Sequence, residues 1–120
     1  MQSDLPPAMA QDFWLRLNLM EKAHVESICK ALANPVRRQI LSWLKEPEAH
    51  FGNQALATEL GVSASTIDKR CGLAQSTVSA HLAVLQRAGL VTTRKISQSV
   101  FFKRNEVTVR AFLRHMQSEL

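Results

Sequence analysis

Gly72-Leu73-Ala74-Gln75-Ser76-Thr77-Val78-Ser79-Ala80-His81-Leu82, running on through Leu85-Gln86-Arg87-Ala88-Gly89-Leu90-Val91, decides how this 120-residue chain folds. The spacing predicts a helix from about Gln75 to Arg87, closed at Ala88-Gly89. At helical pitch Val78, Leu82 and Leu85 fall on one side and mark the buried face. Before it, Ser65 to Cys71 reads as a shorter helix with Ser65 and Asp68 at capping-box spacing and Ile67 inward, and Gly72 closes it by tolerating positive φ. After it, Leu90 to Ile96 and Ser99 to Arg104 alternate as two strands joined at Ser97-Gln98. The order is helix, tight turn, helix, basic hairpin.

A second helix-turn-helix reading overlaps the first. Leu56-Ala57-Thr58-Glu59-Leu60-Gly61-Val62-Ser63-Ala64-Ser65-Thr66-Ile67 has the same glycine turn, with a small Ala57 four residues before the glycine. The equivalent downstream position is Asp68, a less comfortable neighbour for a packed helix. Context favours the downstream copy, because a winged helix needs its reading helix to run directly into a hairpin, and only the helix ending at Gly89 does so.

The outer face of that helix carries Ser76, Ala80, Ala83 and Arg87, flanked by Gln75, Ser79 and Thr77. An ordinary surface helix would carry Glu and Lys there. Small side chains let a helix seat in a major groove about 12 Å wide, and Gln, Ser and Thr near its N-terminus address base edges. Gln75, Ser76, Thr77 and Ser79 are therefore the expected base contacts, and Lys69, Arg87, Arg94 and Lys95 the expected phosphate contacts. Lys103 and Arg104 add charge at the end of the second strand. Ser97, Gln98 and Ser99 form the hairpin tip, within reach of an adjacent minor groove. Phe101 and Phe102 are expected to pack the hairpin onto the core.

Elsewhere, Met9, Phe13, Trp14, Leu17 and Met20 form an apolar stripe broader than one core contact requires, which suggests a partner subunit. Residues 23–33 read as a helix with Ile28 and Leu32 inward and Cys29 near the buried face. Asn34 and Pro35 suit the N-cap and first position of a new helix that buries Val36, Ile40, Leu41 and Leu44 and stops near Pro47. Residues 48–62 are legible only as a short helix or folded loop. Asn105 caps a closing helix whose stripe of Val109, Phe112, Leu113 and Met116 is expected, with Phe13, Trp14, Leu17 and Met20, at a dimer interface.

The length suits one domain over 1–120, mainly α with a small β-hairpin (α+β): N-terminal helices in 8–33, the helix-turn-helix in 66–87, the wing in 90–104 and a dimerisation helix in 105–119. Residues 1–60 carry six Lys/Arg against seven Asp/Glu, and residues 61–120 nine against three, so the halves sum to −1 and +6. That asymmetry suggests a positive surface facing a polyanion. Cys29 and Cys71 show neither CxxC nor CxC spacing and fit a reducing cytoplasm as two structural thiols. The N-terminus lacks the pattern of a secretory signal, and no apolar run is long enough to cross a membrane.

Asn34-Pro35-Val36-Arg37-Arg38-Gln39-Ile40-Leu41, with the two stretches quoted first, resembles the ArsR/SmtB family of bacterial transcriptional repressors over roughly residues 25–105. The resemblance implies a winged helix-turn-helix homodimer with terminal helices at its interface, bound to a dyad-symmetric operator on double-stranded DNA and released by an inducer. Departures from the pattern are informative. Ala74 stands where members often have a capping Ser, and Ser97 where the wing turn often has Gly. Val62 and Ala64 replace the Cys-x-Cys of metal-sensing members. Asn105, Val107 and a single His115 replace the Asp and His pairs of another sensing pattern, and His24, His50 and His81 show no paired spacing either. No metal or other cofactor is therefore expected, and the signal is left open as a small molecule or a redox change. The alternatives are a winged helix used for protein contact and a thiol switch between Cys29 and Cys71. An enzyme is disfavoured: the chain has no Gly-rich phosphate loop, no glycine-flanked nucleophilic serine, no HExxH and no Tyr.

Overall fold

The computed structural model describes residues 21–52 and 60–120. Phe13, Trp14, Leu17, Met20 and residues 53–59 lie outside the described residues, and the expectations for them with those positions. Helix α1 occupies residues 21–32. It is followed by α2 (Pro35–Lys45), α3 (Pro47–Phe51), β1 (Val62–Ser63), α4 (Ala64–Cys71), α5 (Gln75–Arg87), β2 (Val91–Ile96), β3 (Ser99–Arg104) and α6 (Glu106–Glu119).

The junction between α1 and α2 follows from Asn34-Pro35-Val36-Arg37-Arg38. Asn34 is extended, and its side-chain oxygen accepts from the amides of Val36 at 2.8 Å and Arg37 at 3.2 Å, while Pro35 needs no amide partner at the first helical position. The two arginines satisfy the opposite helix end. Arg37 Nε donates to Ala31 O at 2.6 Å and Nη2 to Lys30 O at 3.1 Å, and Arg38 Nη1 donates to Leu32 O at 2.6 Å. Cations at orphan carbonyls of a helix C-terminus are favourable on both hydrogen-bond and dipole grounds.

One core joins the elements. Ile28 and Ala31 from α1, Ile40 and Leu44 from α2, Ile67 from α4, Val78, Leu82 and Leu85 from α5, Leu90, Val91 and Phe102 around the wing and Val109 from α6 are all buried in it. Each fully buried Ile, Leu or Val contributes roughly 1.5–3 kcal/mol relative to exposure. Phe101 is buried as well, so neither phenylalanine is free to stack on a base.

The sheet has three strands rather than the two of a simple hairpin, in the order β1-β3-β2 and antiparallel throughout. β1 was not legible in the sequence, since two residues carry no periodicity. It pairs Val62 with Phe102 and Ser63 with Phe101. Gly61 makes the approach feasible: at φ +91° a Cβ there would sit 2.3 Å from the Phe102 carbonyl oxygen. This glycine serves a sheet edge; of the upstream helix-turn-helix reading, residues 56–59 lie outside the described residues, and its second helix is α4, which starts at Ala64 directly after β1.

Three further expectations are corrected. The cap of α4 is Ser63, not Ser65; its hydroxyl accepts from the Thr66 amide at 3.3 Å, and the helix-turn-helix therefore starts at Ala64 rather than at residue 66. Cys29 is exposed, because Ile28 and Ala31 point inward and the following position on the turn faces out. In the closing helix Val109 is only 7% exposed and belongs to the core, so it is not free to meet a partner; Leu113, at 56%, faces outward.

Candidate nucleic-acid interface

Helix α5 is presented by the turn at Gly72-Leu73-Ala74. Gly72 adopts the left-handed conformation at φ 66°, and its amide donates to Asp68 O at 3.2 Å, which ends α4. The chain then reverses into α5 without a capping side chain. Ala74 offers only its carbonyl, which accepts from Thr77 at 3.0 Å and Val78 at 3.1 Å. Among the described residues no side chain caps the start of α5, so the amides of Gln75 and Ser76 remain open to a phosphate, with the helix dipole adding to the attraction.

The two faces of α5 separate as the spacing predicts. Val78, Leu82 and Leu85 are buried, whereas Gln75, Ser76, Thr77, Ser79, Ala80 and Arg87 are exposed; Ala83 is half-buried. Lys69 near the end of α4 and Arg94 and Lys95 on β2 are exposed too. Gln86 on α5 donates to the Thr93 hydroxyl at 3.3 Å, linking helix and wing directly.

The strand register shows what the wing does with its charges. Arg94 lies opposite Phe101 and Thr92 opposite Lys103, while Lys95 lies opposite Val100 and Thr93 opposite Phe102. Alternation places Arg94 and Lys103 on one face and Lys95 on the other, with Phe102 and Thr93. The cations thus straddle the hairpin. Arg104 is different: its side chain is 14% exposed and lies beside Glu106, Nε 3.0 Å from Oε2, so it does not stand in solvent as the other hairpin cations do. At the tip, Ser97, Gln98 and Ser99 are exposed, and Ser97 takes positive φ at 57° where glycine fits more easily.

Sequence reading missed two features of this region. His81, on the half-buried flank of α5, lies with Nδ1 3.2 Å from Arg37 Nη1, so the arginine that holds the end of α1 also reaches α5. The partners are 44 positions apart and neither stands in a charge pattern. The second feature had a signal. Asp68, already conspicuous by type, has Oδ1 buried without a hydrogen-bond partner among the described residues, and burial pushes its carboxyl up from the ordinary range. The Cys71 thiol is also pushed up, by burial first and by the neighbouring Asp68 charge second. A raised thiol pKa leaves less thiolate to react. Both cysteines are free.

A helix-turn-helix whose second helix runs into a three-stranded wing, with a polar outer face and flanking cations, defines a winged helix-turn-helix. The comparisons agree. Residues 53–94 match the helix-turn-helix domain family. The chain is 36% identical over 95 residues to the HTH-type transcriptional regulator YbzH of Bacillus subtilis, covering 78% of this chain and 95% of that protein. It is 36% identical to the transcriptional activator HlyU of Vibrio cholerae, covering 82% of each. The solved HlyU structure superposes with a TM-score of 0.54 over 82% of this chain and 92% of that one, at 33% identity. The homodimeric winged helix-turn-helix DNA-binding domain Mb0332 of Mycobacterium bovis superposes with a TM-score of 0.57 at 25% identity, over 99% of this chain and 88% of that one. The chain belongs to the ArsR-type family of winged helix-turn-helix transcriptional regulators. Among the described residues no helix is long and apolar enough to cross a membrane.

Proposed function

We propose that the protein is a homodimeric repressor that reads a dyad-symmetric operator with the exposed face of α5. The observation that carries this is the exposure of Gln75, Ser76, Thr77 and Ser79 around an uncapped helix start, directly over a buried face that fixes the helix in place. Gln75, Ser76, Thr77 and Ser79 contact base edges. Lys69, Arg87 and the straddling pair Arg94 and Lys95 contact phosphates on either side of the wing, and Ser97 to Ser99 lie at the neighbouring minor groove. Dimerisation uses the groove between α1 and α6, about 250 Å³ and lined by His24, Val25, Ile28, Val107 and Phe112 among others. The exposed Leu113 and Val107 and the half-buried Phe112 and Met116 supply apolar area for it, and the homodimeric Mb0332 has the same fold. Phe13, Trp14, Leu17 and Met20 join that interface in this reading. The reading invokes no metal at the start of α4, where Val62 and Ala64 offer no side-chain ligand.

The test is a titration of promoter DNA against scrambled DNA across salt. A specificity ratio of about 10³ or more, with affinity falling steeply as salt rises, is expected. A ratio near one indicates a winged helix used for protein contact and overturns the reading. The thiol-switch alternative is weaker on the geometry: Cys29 is exposed on α1, whereas Cys71 is half-buried with a raised pKa.

A further inference from the structure

Three cations converge on a cleft that the reading face does not use. Arg38, Ser42 and Lys45 stand on one side of α2, with Leu41 beside them, and Arg104 closes the cleft from the end of β3. Its volume is about 270 Å³ and its floor is completed by Leu32. Arg104 Nε is buried and, among the described residues, has no aligned hydrogen-bond partner. Glu106 Oε2 is 3.0 Å away, close enough for an ion pair but off the direction of the N–H. Arg38 commits Nη1 to Leu32 O at 2.6 Å and keeps its other donors. Lys45 is exposed and makes no hydrogen bond or ion pair among the described residues. The Glu106 carboxylate beside Arg104 offsets a third of this charge.

The cleft is set apart from the reading surface. Arg104 pairs with Val91 at the base of the hairpin, whereas Ile96 pairs with Ser99 beside the tip, so base and tip are about 17 Å apart at strand rise. None of the residues lining the cleft is among the proposed base or phosphate contacts, and Gln75, at the start of the 13-residue α5, is about 18 Å from Arg87 at its end.

We propose that this cleft binds a small phosphate-type oxyanion, either inorganic phosphate or a phosphomonoester, and that this anion is the effector of the regulator. Two guanidinium groups with free N–H donors, an ammonium and the Ser42 hydroxyl match the donor set that a tetrahedral oxyanion needs. The effector role rests on the reading under Proposed function. Arg104 ends β3 and Glu106 opens α6, so an anion that takes the guanidinium draws it from Glu106 and acts on wing and closing helix together.

Binding is tested without DNA, so that its failure is distinct from failure of the operator reading. The ¹⁵N-labelled full chain is titrated with inorganic phosphate against sodium chloride at matched ionic strength. Saturable shifts at Ser42, Lys45, Arg104 and Glu106 are expected. They weaken at least tenfold in Lys45→Glu, an exposed position whose replacement leaves the fold intact, and persist in Lys45→Arg. The absence of saturation, equal shifts with chloride, or an unchanged titration in Lys45→Glu overturns the site. Operator affinity is then measured with and without inorganic phosphate at constant ionic strength, and phosphate is expected to weaken it at least threefold in the wild type and not in Lys45→Glu. An unchanged affinity, or duplex DNA that perturbs the same four residues ahead of phosphate, overturns the effector role.

Discussion

Replacing Arg37 by Ala removes three hydrogen bonds that meet at one guanidinium: Nε to Ala31 O at 2.6 Å, Nη2 to Lys30 O at 3.1 Å and Nη1 to His81 Nδ1 at 3.2 Å. A hydrogen bond from a charged donor contributes about 1.5–3 kcal/mol when shielded and much less when water can replace it. The bond to Lys30 is exposed and counts little. Ala31 is fully buried and its carbonyl loses its shortest donor, so this bond carries most of the effect. The link to His81 is partly buried and requires the neutral ring with a lone pair at Nδ1. Together they give an expected loss of about 2–3 kcal/mol, a large share of a typical domain's 5–15 kcal/mol. Arg37→Lys is expected to recover less than half, because one ammonium cannot reach three acceptors on two elements. Urea unfolding followed by circular dichroism reads the loss as a shift in midpoint, and a double-mutant cycle with His81→Ala isolates the bond between helices at about 0.5–1 kcal/mol. A loss below about 0.5 kcal/mol, or strict additivity in the cycle, would refute the claim that Arg37 ties α1, α2 and α5 together.

Gly61→Ala is expected to cost more than about 3 kcal/mol or to prevent folding, since its Cβ would meet the Phe102 carbonyl at 2.3 Å and the residue would have to hold φ +91°; thermal denaturation reads it. Asp68→Ala is expected to stabilise the fold, read as a higher urea midpoint, through removal of a buried, unpartnered carboxylate oxygen. Because the folded-state pKa of Asp68 is raised above 3.8, the ionised form is penalised only in the native state. That penalty is complete above the folded pKa and fades as pH falls toward 3.8, so the advantage of Asp68→Ala should be largest near neutral pH and shrink in acid. Ser97→Gly should add about 0.5–1 kcal/mol by relieving positive φ at the wing turn, measurable as a rise in melting temperature.

Helix α5 was legible because Val78, Leu82 and Leu85 keep one helical phase over about two turns and Gly72 and Gly89 mark its limits. The start of α2 was legible for a similar reason: Asn34 and Pro35 act on their own backbone neighbours. Interactions across the fold left weaker traces. The strand at Val62–Ser63 is too short for periodicity and exists because β3 offers an edge beside Gly61. The Arg37–His81 bond depends on how α2 crosses α5, which no local pattern encodes. Val109 illustrates a third case, since a stripe of Val109, Phe112, Leu113 and Met116 shows that a helix is amphipathic but not which of its residues serve the core and which a partner. Charge reading had the same limit: Arg94 and Arg104 look alike in sequence, yet one stands free on the wing and the other is held near Glu106.

The most direct measurement of the central claim compares operator with scrambled DNA for the wild type and for the combined variant Gln75→Ala, Ser76→Ala and Ser79→Ala, at fixed salt and with the fold verified by circular dichroism. All three residues are exposed on α5, so the variant should fold normally. Base-edge contacts are worth about 1–3 kcal/mol each for good bidentate pairs, and single hydroxyl contacts less, so the specificity ratio should fall by at least about a hundredfold while binding to scrambled DNA stays nearly constant. An unchanged ratio in the folded variant would contradict the assignment of α5 as the reading helix.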